Sequence, residues 1–137
     1  MTDTRYICVL KRAYFLEALG EAAYRQGSRR LRAGVGSERW AGFAETEAEM
    51  RRLLHDELRC VIGHWKPAGA ATRSVRWLSS LAGLVSPSLL RVIIRRVLGK
   101  QRYRRWADEF RPYNPELWQA LVEHERKQAD YFERRDG

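Results

Sequence analysis

The sequence predicts an all-α domain: an antiparallel four-helix bundle whose third helical region is broken near Ser86-Pro87. Three observations predict it. Apolar residues recur at helical spacing over long stretches, and no alternating run of useful length occurs. The four prolines, Pro67, Pro87, Pro112 and Pro115, fall where one stretch stops or another starts. With 137 residues, 45% of them hydrophobic and fifteen of them Trp, Tyr or Phe, the chain can form one domain around a real core.

The first helix is expected from about Thr4 to Arg32, with Gly20 inside it. At 100° per residue, Tyr6, Leu10, Ala13 and Tyr24 share one side, whereas Phe15, Leu16 and Leu19 lie elsewhere, so several neighbours should cover it. Gly34-Val-Gly36-Ser37 ends it, and Ser37 reads as the N-cap of a second helix over 38–63. On that helix and just past it, Trp40, Phe43, Leu54, Leu58, Val61 and Trp65 fall on one side. Gly63 and Lys66-Pro-Ala-Gly69 mark a loop.

The third region begins as an amphipathic stretch over 73–85, with Val75, Trp77, Leu78, Leu81, Leu84 and Val85 on one side. Ser86-Pro87 has the form of an N-cap followed by proline at the first helical position, so a new helix should start there and run to Phe110. Arg111-Pro112 stops it. Asn114-Pro115 repeats the cap-and-proline signal and opens the last helix, 115 to about 134, on which Trp118, Leu121, Val122, Ala129 and Phe132 share a side.

Three glutamates interrupt these apolar faces: Glu17, Glu47 and Glu125, each on a different helix. A carboxylate turned into a core costs several kcal/mol unless it is paired or bound to a cation. Convergence of the three would mark a site inside a bundle. The plainer alternative is local pairing, for which Arg51, four residues beyond Glu47, is well placed. His55 and His124 lie at the edges of apolar faces and could reach inward.

The order of the helices, the three glutamates and the stretch from Trp118 to Phe132 resemble the ferritin-like carboxylate proteins, the demethoxyubiquinone hydroxylase group in particular. That resemblance implies a membrane-resting bundle, a lipophilic quinone-like substrate, and iron or manganese held by Glu17, Glu47 and Glu125, with His55 or His124 as nitrogen ligands. The family's Glu-x-x-His signatures are not intact here. Met50 stands three residues after Glu47, and Gln128 three after Glu125. The expectation is therefore a scaffold with a degenerate metal site and no bound cofactor.

Charge singles out one segment. Arg73 to Arg111 holds ten Lys/Arg against Asp108 and Glu109, a net +8 of the chain's +9. The same segment contains fourteen uncharged residues in a row, Trp77 to Leu90. A span needs about 20 apolar residues, so this run suits the plane of a membrane interface rather than a crossing. Trp77 and Leu81 would insert, while Arg73, Arg76, Arg91, Arg95 and Arg96 would meet phosphates. Nucleic acid is the competitor, through Gly99-Lys-Gln-Arg-Tyr-Arg-Arg-Trp106, and an ordinary basic helix face is the third reading.

No nucleotide-binding glycine loop or nucleophile elbow is present. Cys8 and Cys60 have no CxxC partner and are expected to be buried small hydrophobes. The N-terminal residues lack the apolar core of a signal peptide, so the expected location is the cytoplasm, at the inner face of the membrane. Two functions follow: a non-catalytic binding protein for a membrane surface or lipophilic ligand, or a metal-dependent oxidoreductase on a similar substrate. Self-association is open to either.

Overall fold

The computed structural model describes residues 3–30, 35–82, 84–98 and 102–136. Among them the chain is all-α, with six α-helices and one 3-10 turn. It divides into two compact units, Met1–Val92 and Ile93–Gly137.

The first unit is built on an antiparallel hairpin of α1 (Thr4–Arg30) and α2 (Val35–Ile62), with α3 (Gly69–Ala82) packed on α1. Asp3 starts α1: its carboxylate accepts the Arg5 N–H at 2.9 Å, satisfying one of the donors that a helix N-terminus leaves open. The expected end of α1 at Arg32 lies outside the described residues. α2 begins at Val35, ahead of the expected cap at Ser37. Ser37 instead braces the hairpin. Its hydroxyl donates to the Ser28 carbonyl at 2.8 Å, and the Ser28 hydroxyl donates to the Ser37 carbonyl at 2.9 Å.

Towards the other end, the Tyr6 hydroxyl donates to Glu57 Oε1 at 2.9 Å. Between these two clasps the interface is filled by Leu10, Ala13, Tyr24, Trp40, Ala44, Leu54 and Leu58, all buried. Tyr24 meets Trp40 edge-on at 5.7 Å. Two glycines let the helices approach. A Cβ on Gly20 would come within 2.7 Å of Glu47 Oε1, and one on Gly27 would overlap the six-membered ring of Trp40. Glu47 belongs to a flexible side chain, but Trp40 is buried and cannot yield cheaply. Gly27→Ala should therefore cost roughly 2 kcal/mol, although alanine is the better helix former. Urea denaturation checks this; equal or higher stability would show that the Trp40 ring can move aside.

α2 closes at Gly63, whose φ of +78° is the left-handed conformation glycine adopts without strain. α4 (Pro87–Leu98) starts as expected at Ser86-Pro87: Ser86 Oγ accepts the Leu89 N–H at 3.2 Å. The helix expected to run on to Phe110 is described in two parts, α4 to Leu98 and α5 (Arg102–Phe110); residues 99–101 lie outside the described residues.

In the second unit α5 lies on α6 (Pro115–Asp136), joined by the 3-10 turn Arg111–Tyr113. Tyr103, Ala107 and Phe110 form the buried stripe of α5, at i, i+4 and i+7. Across from them lie Leu117, Trp118 and Leu121, with Phe110 and Trp118 ring centroids 6.3 Å apart. The Asn114 cap holds, its Oδ1 accepting the Leu117 N–H at 3.2 Å.

Cys8 and Cys60 are exposed free thiols, contrary to expectation. Cys8 falls on the outward side of α1, between the inward pairs Tyr6 and Val9-Leu10; Cys60 follows Arg59 on the exposed side of α2.

Candidate functional site

All three glutamates are buried, at 2% exposure for Glu17, 3% for Glu47 and 7% for Glu125. The α1–α2 hairpin brings Glu17 and Glu47 together, a carboxylate oxygen of each within 4.8 Å of the other. Gly20, one turn beyond Glu17, leaves the space in which the Glu47 carboxylate rests. Arg51 does not join them. Its guanidinium reaches across to Glu21 on α1 at 2.8 Å, so the expected i, i+4 pair with Glu47 is replaced by a link between helices.

His55 takes no part in the Glu17–Glu47 pair. Its ring packs with Tyr14, at 6.4 Å between centroids, and with Trp65, at 5.8 Å, while Tyr14 and Trp65 meet edge-on at 4.8 Å. Met50, at the position where the family resemblance would require histidine, is buried and apolar.

In the second unit Glu125 holds the start of α5. The Tyr103 N–H donates to its Oε1 at 3.1 Å. Burial pushes the carboxyl up to about 7; the backbone amides of Tyr103 and Arg102 and the nearby His124 and Arg102 charges oppose this without cancelling it. A carboxyl group at a helix N-terminus satisfies amides that would otherwise lack partners, which explains an acid on an apolar face without any ion. His124 and Gln128, also buried, are hydrogen-bonded through their Nε2 atoms at 2.9 Å. Gln128 thus occupies the second imidazole position of the resemblance and engages a histidine one turn back.

The second candidate is a surface. Trp77 is 64% exposed and Leu84 82%, with Leu78, Leu81, Leu89, Val92 and Ile93 also exposed. On α3, Trp77 and Leu81 lie one turn apart, within about 40° of one another, and Arg73 precedes Trp77 on the same side; Leu84 lies in a turn beyond the helix. Arg73, Arg76 and Arg96 are exposed. The side chains of Arg91 and Arg95 lie outside the described residues. From Leu58 to Ala107 the sequence has no Asp or Glu, so no acid within that stretch offsets these charges. No helix among the described residues is long and apolar enough to cross a membrane.

No protein-family model, curated protein or solved structure matches this chain.

Proposed function

We propose that the protein is a non-catalytic, peripheral membrane-binding helical protein that engages anionic lipid surfaces and lipophilic ligands. One observation carries this reading: the exposed apolar residues Trp77 and Leu81 on α3 and Leu84 in the turn beyond it, flanked by Arg73 and Arg76 in an acid-free stretch. Large apolar side chains in water are unfavourable unless something covers them, and clustered ones mark an interaction surface. Basic residues at the edge of such a cluster complement a lipid headgroup layer, each contributing about 1 kcal/mol near an anionic leaflet. A nucleic-acid groove would use the arginines but would have no use for Leu84. Co-sedimentation with phosphatidylserine-containing vesicles tests the reading. Binding should fall at high salt without vanishing, because screening removes only the electrostatic part. Complete loss in salt, or tighter binding to single-stranded nucleic acid, would favour a purely electrostatic partner.

The buried Glu17–Glu47 pair supports a second reading, a metal-dependent oxidoreductase. The donors at the imidazole spacing do not fit it: Met50 offers a soft thioether where iron or manganese prefers nitrogen or oxygen, and Gln128 is engaged by His124. Elemental analysis of protein expressed with added iron should give well under one iron per chain; a value near two would restore the oxidoreductase.

A further inference from the structure

Membrane docking leaves a groove unexplained. It runs between α1 and α3 beside residues 65–68, lies wholly within the first unit, and encloses about 910 Å³. Small-molecule sites range from roughly 300 to 1,000 Å³. Its walls combine two chemistries. Six basic residues line it, Lys11, Arg25, Arg29, Arg51, Lys66 and Arg76, against one acid, Glu21. Six positive charges less one leaves +5. Glu21 is already held by Arg25 at 3.1 Å and Arg51 at 2.8 Å. Lys11, Arg29, Lys66 and Arg76 have no carboxylate partner among the described residues.

The rest of the lining is apolar. Phe15, Ala18 and Ala22 form a strip on α1, with Trp65 and Val75 among the other apolar walls. The strip lies between Lys11 and Arg25, so the apolar section of α1 has a cation at each end. From Lys11 to Arg29 the groove follows α1 for about 27 Å. An inorganic anion would use the cations and leave the apolar strip wet. A neutral lipid would use the strip and leave four cations unpaired. Both features are used by one class of ligand, a molecule with an acidic head and a single apolar tail.

We infer that this groove binds a single-chain amphiphilic anion, an alkyl carboxylate or alkyl phosphate, with its head on the unpaired cations and its tail along Phe15, Ala18 and Ala22. The site stands on its own walls; its supply from a bilayer rests on the membrane reading. α3 links the two, because Val75 and Ser79 line the groove, Trp77 and Leu81 are exposed, and Arg76, which is exposed and also lines the groove, lies at the edge between them. Such a ligand leaving a membrane would pass from one side of α3 to the other.

Calorimetric titration of the full chain, without vesicles, tests this using dodecyl phosphate and dodecanoate below their micellar concentrations. Inorganic phosphate and dodecyl maltoside serve as head-only and tail-only controls. One site per chain is expected, at least roughly tenfold tighter for the acidic amphiphiles than for either control. Relative affinities of the two acids separate phosphate from carboxylate as the preferred head. Ala22→Trp, which fills the groove, and Arg29→Glu/Lys66→Glu, which reverses two exposed cations, should each weaken binding by about tenfold or more. The charge-reversed pair lies on the surface and should fold even if Ala22→Trp does not. Trp77→Ser/Leu81→Ser should bind the amphiphiles normally while losing vesicles at high salt. Many ligands per chain, equal binding of dodecyl maltoside, or indifference to Arg29→Glu/Lys66→Glu would overturn the site. Vesicle binding without an amphiphile site overturns the groove alone, and the reverse result overturns the membrane reading alone.

Discussion

Trp77→Ser/Leu81→Ser should reduce partitioning to anionic vesicles at high salt by about a hundredfold. Burying a large apolar side chain is worth about 1.5–3 kcal/mol, and both residues are only partly exposed, so roughly 2–3 kcal/mol is the expected loss for the pair. Neither has a core role to lose, so helicity and stability should be unchanged. Arg73→Glu/Arg76→Glu should show the opposite dependence. Reversing two charges weakens binding strongly at low salt, at about 1 kcal/mol per unit of charge, and little once salt has screened the surface. Co-sedimentation of the two variants at two salt concentrations separates insertion from attraction. If the serine variant binds as the parent does, the exposed cluster serves another partner and the membrane reading fails.

Features encoded within a few residues were legible in the sequence. Ser86-Pro87 and Asn114-Pro115 each carry cap and start in adjacent positions, and both caps form as expected. The burial of Glu17, Glu47 and Glu125 was also legible, because each lies within an apolar face at helical period. What those carboxylates do was not. Periodicity places a residue on a face but does not say what stands opposite. Arg51 could pair along α2 with Glu47 or across to α1, and the hairpin register selects Glu21. Glu125 meets the start of α5 through the Tyr103 amide, a partner that the periodicity of α6 alone does not name. Ser37 was misread for a similar reason: cap residues are recognised by type, and here the hydroxyl is claimed by Ser28 on the partner helix. The groove is a property of α1 and α3 together, and neither helix shows it alone.

Glu125→Gln should make the protein more stable than the parent by roughly 3 kcal/mol at and above neutral pH, with the two converging in acid. The carboxyl sits at about 7 in the folded chain, chiefly through burial, against about 4.5 when unfolded. Below 4.5 both states hold the proton and the parent has no penalty. Between 4.5 and 7 the unfolded chain releases its proton while the folded one retains it, so the parent loses stability as pH rises. Above 7 both are ionised, and the cost of a buried charge is present in full. Glutamine removes that cost and keeps an oxygen able to accept the Tyr103 N–H, so the α5 terminus stays satisfied. Glu125→Leu removes charge and acceptor together and should gain less than glutamine, by about 1–2 kcal/mol. Urea denaturation at intervals from pH 4 to 8, taken as the difference between each variant and the parent, cancels the other titrating groups. A pH-independent difference would mean that Glu125 ionises in the folded chain as it does in water. The carboxylate would then have to be stabilised by something stronger than two backbone amides and the charges of His124 and Arg102, and a bound cation would again be the best candidate.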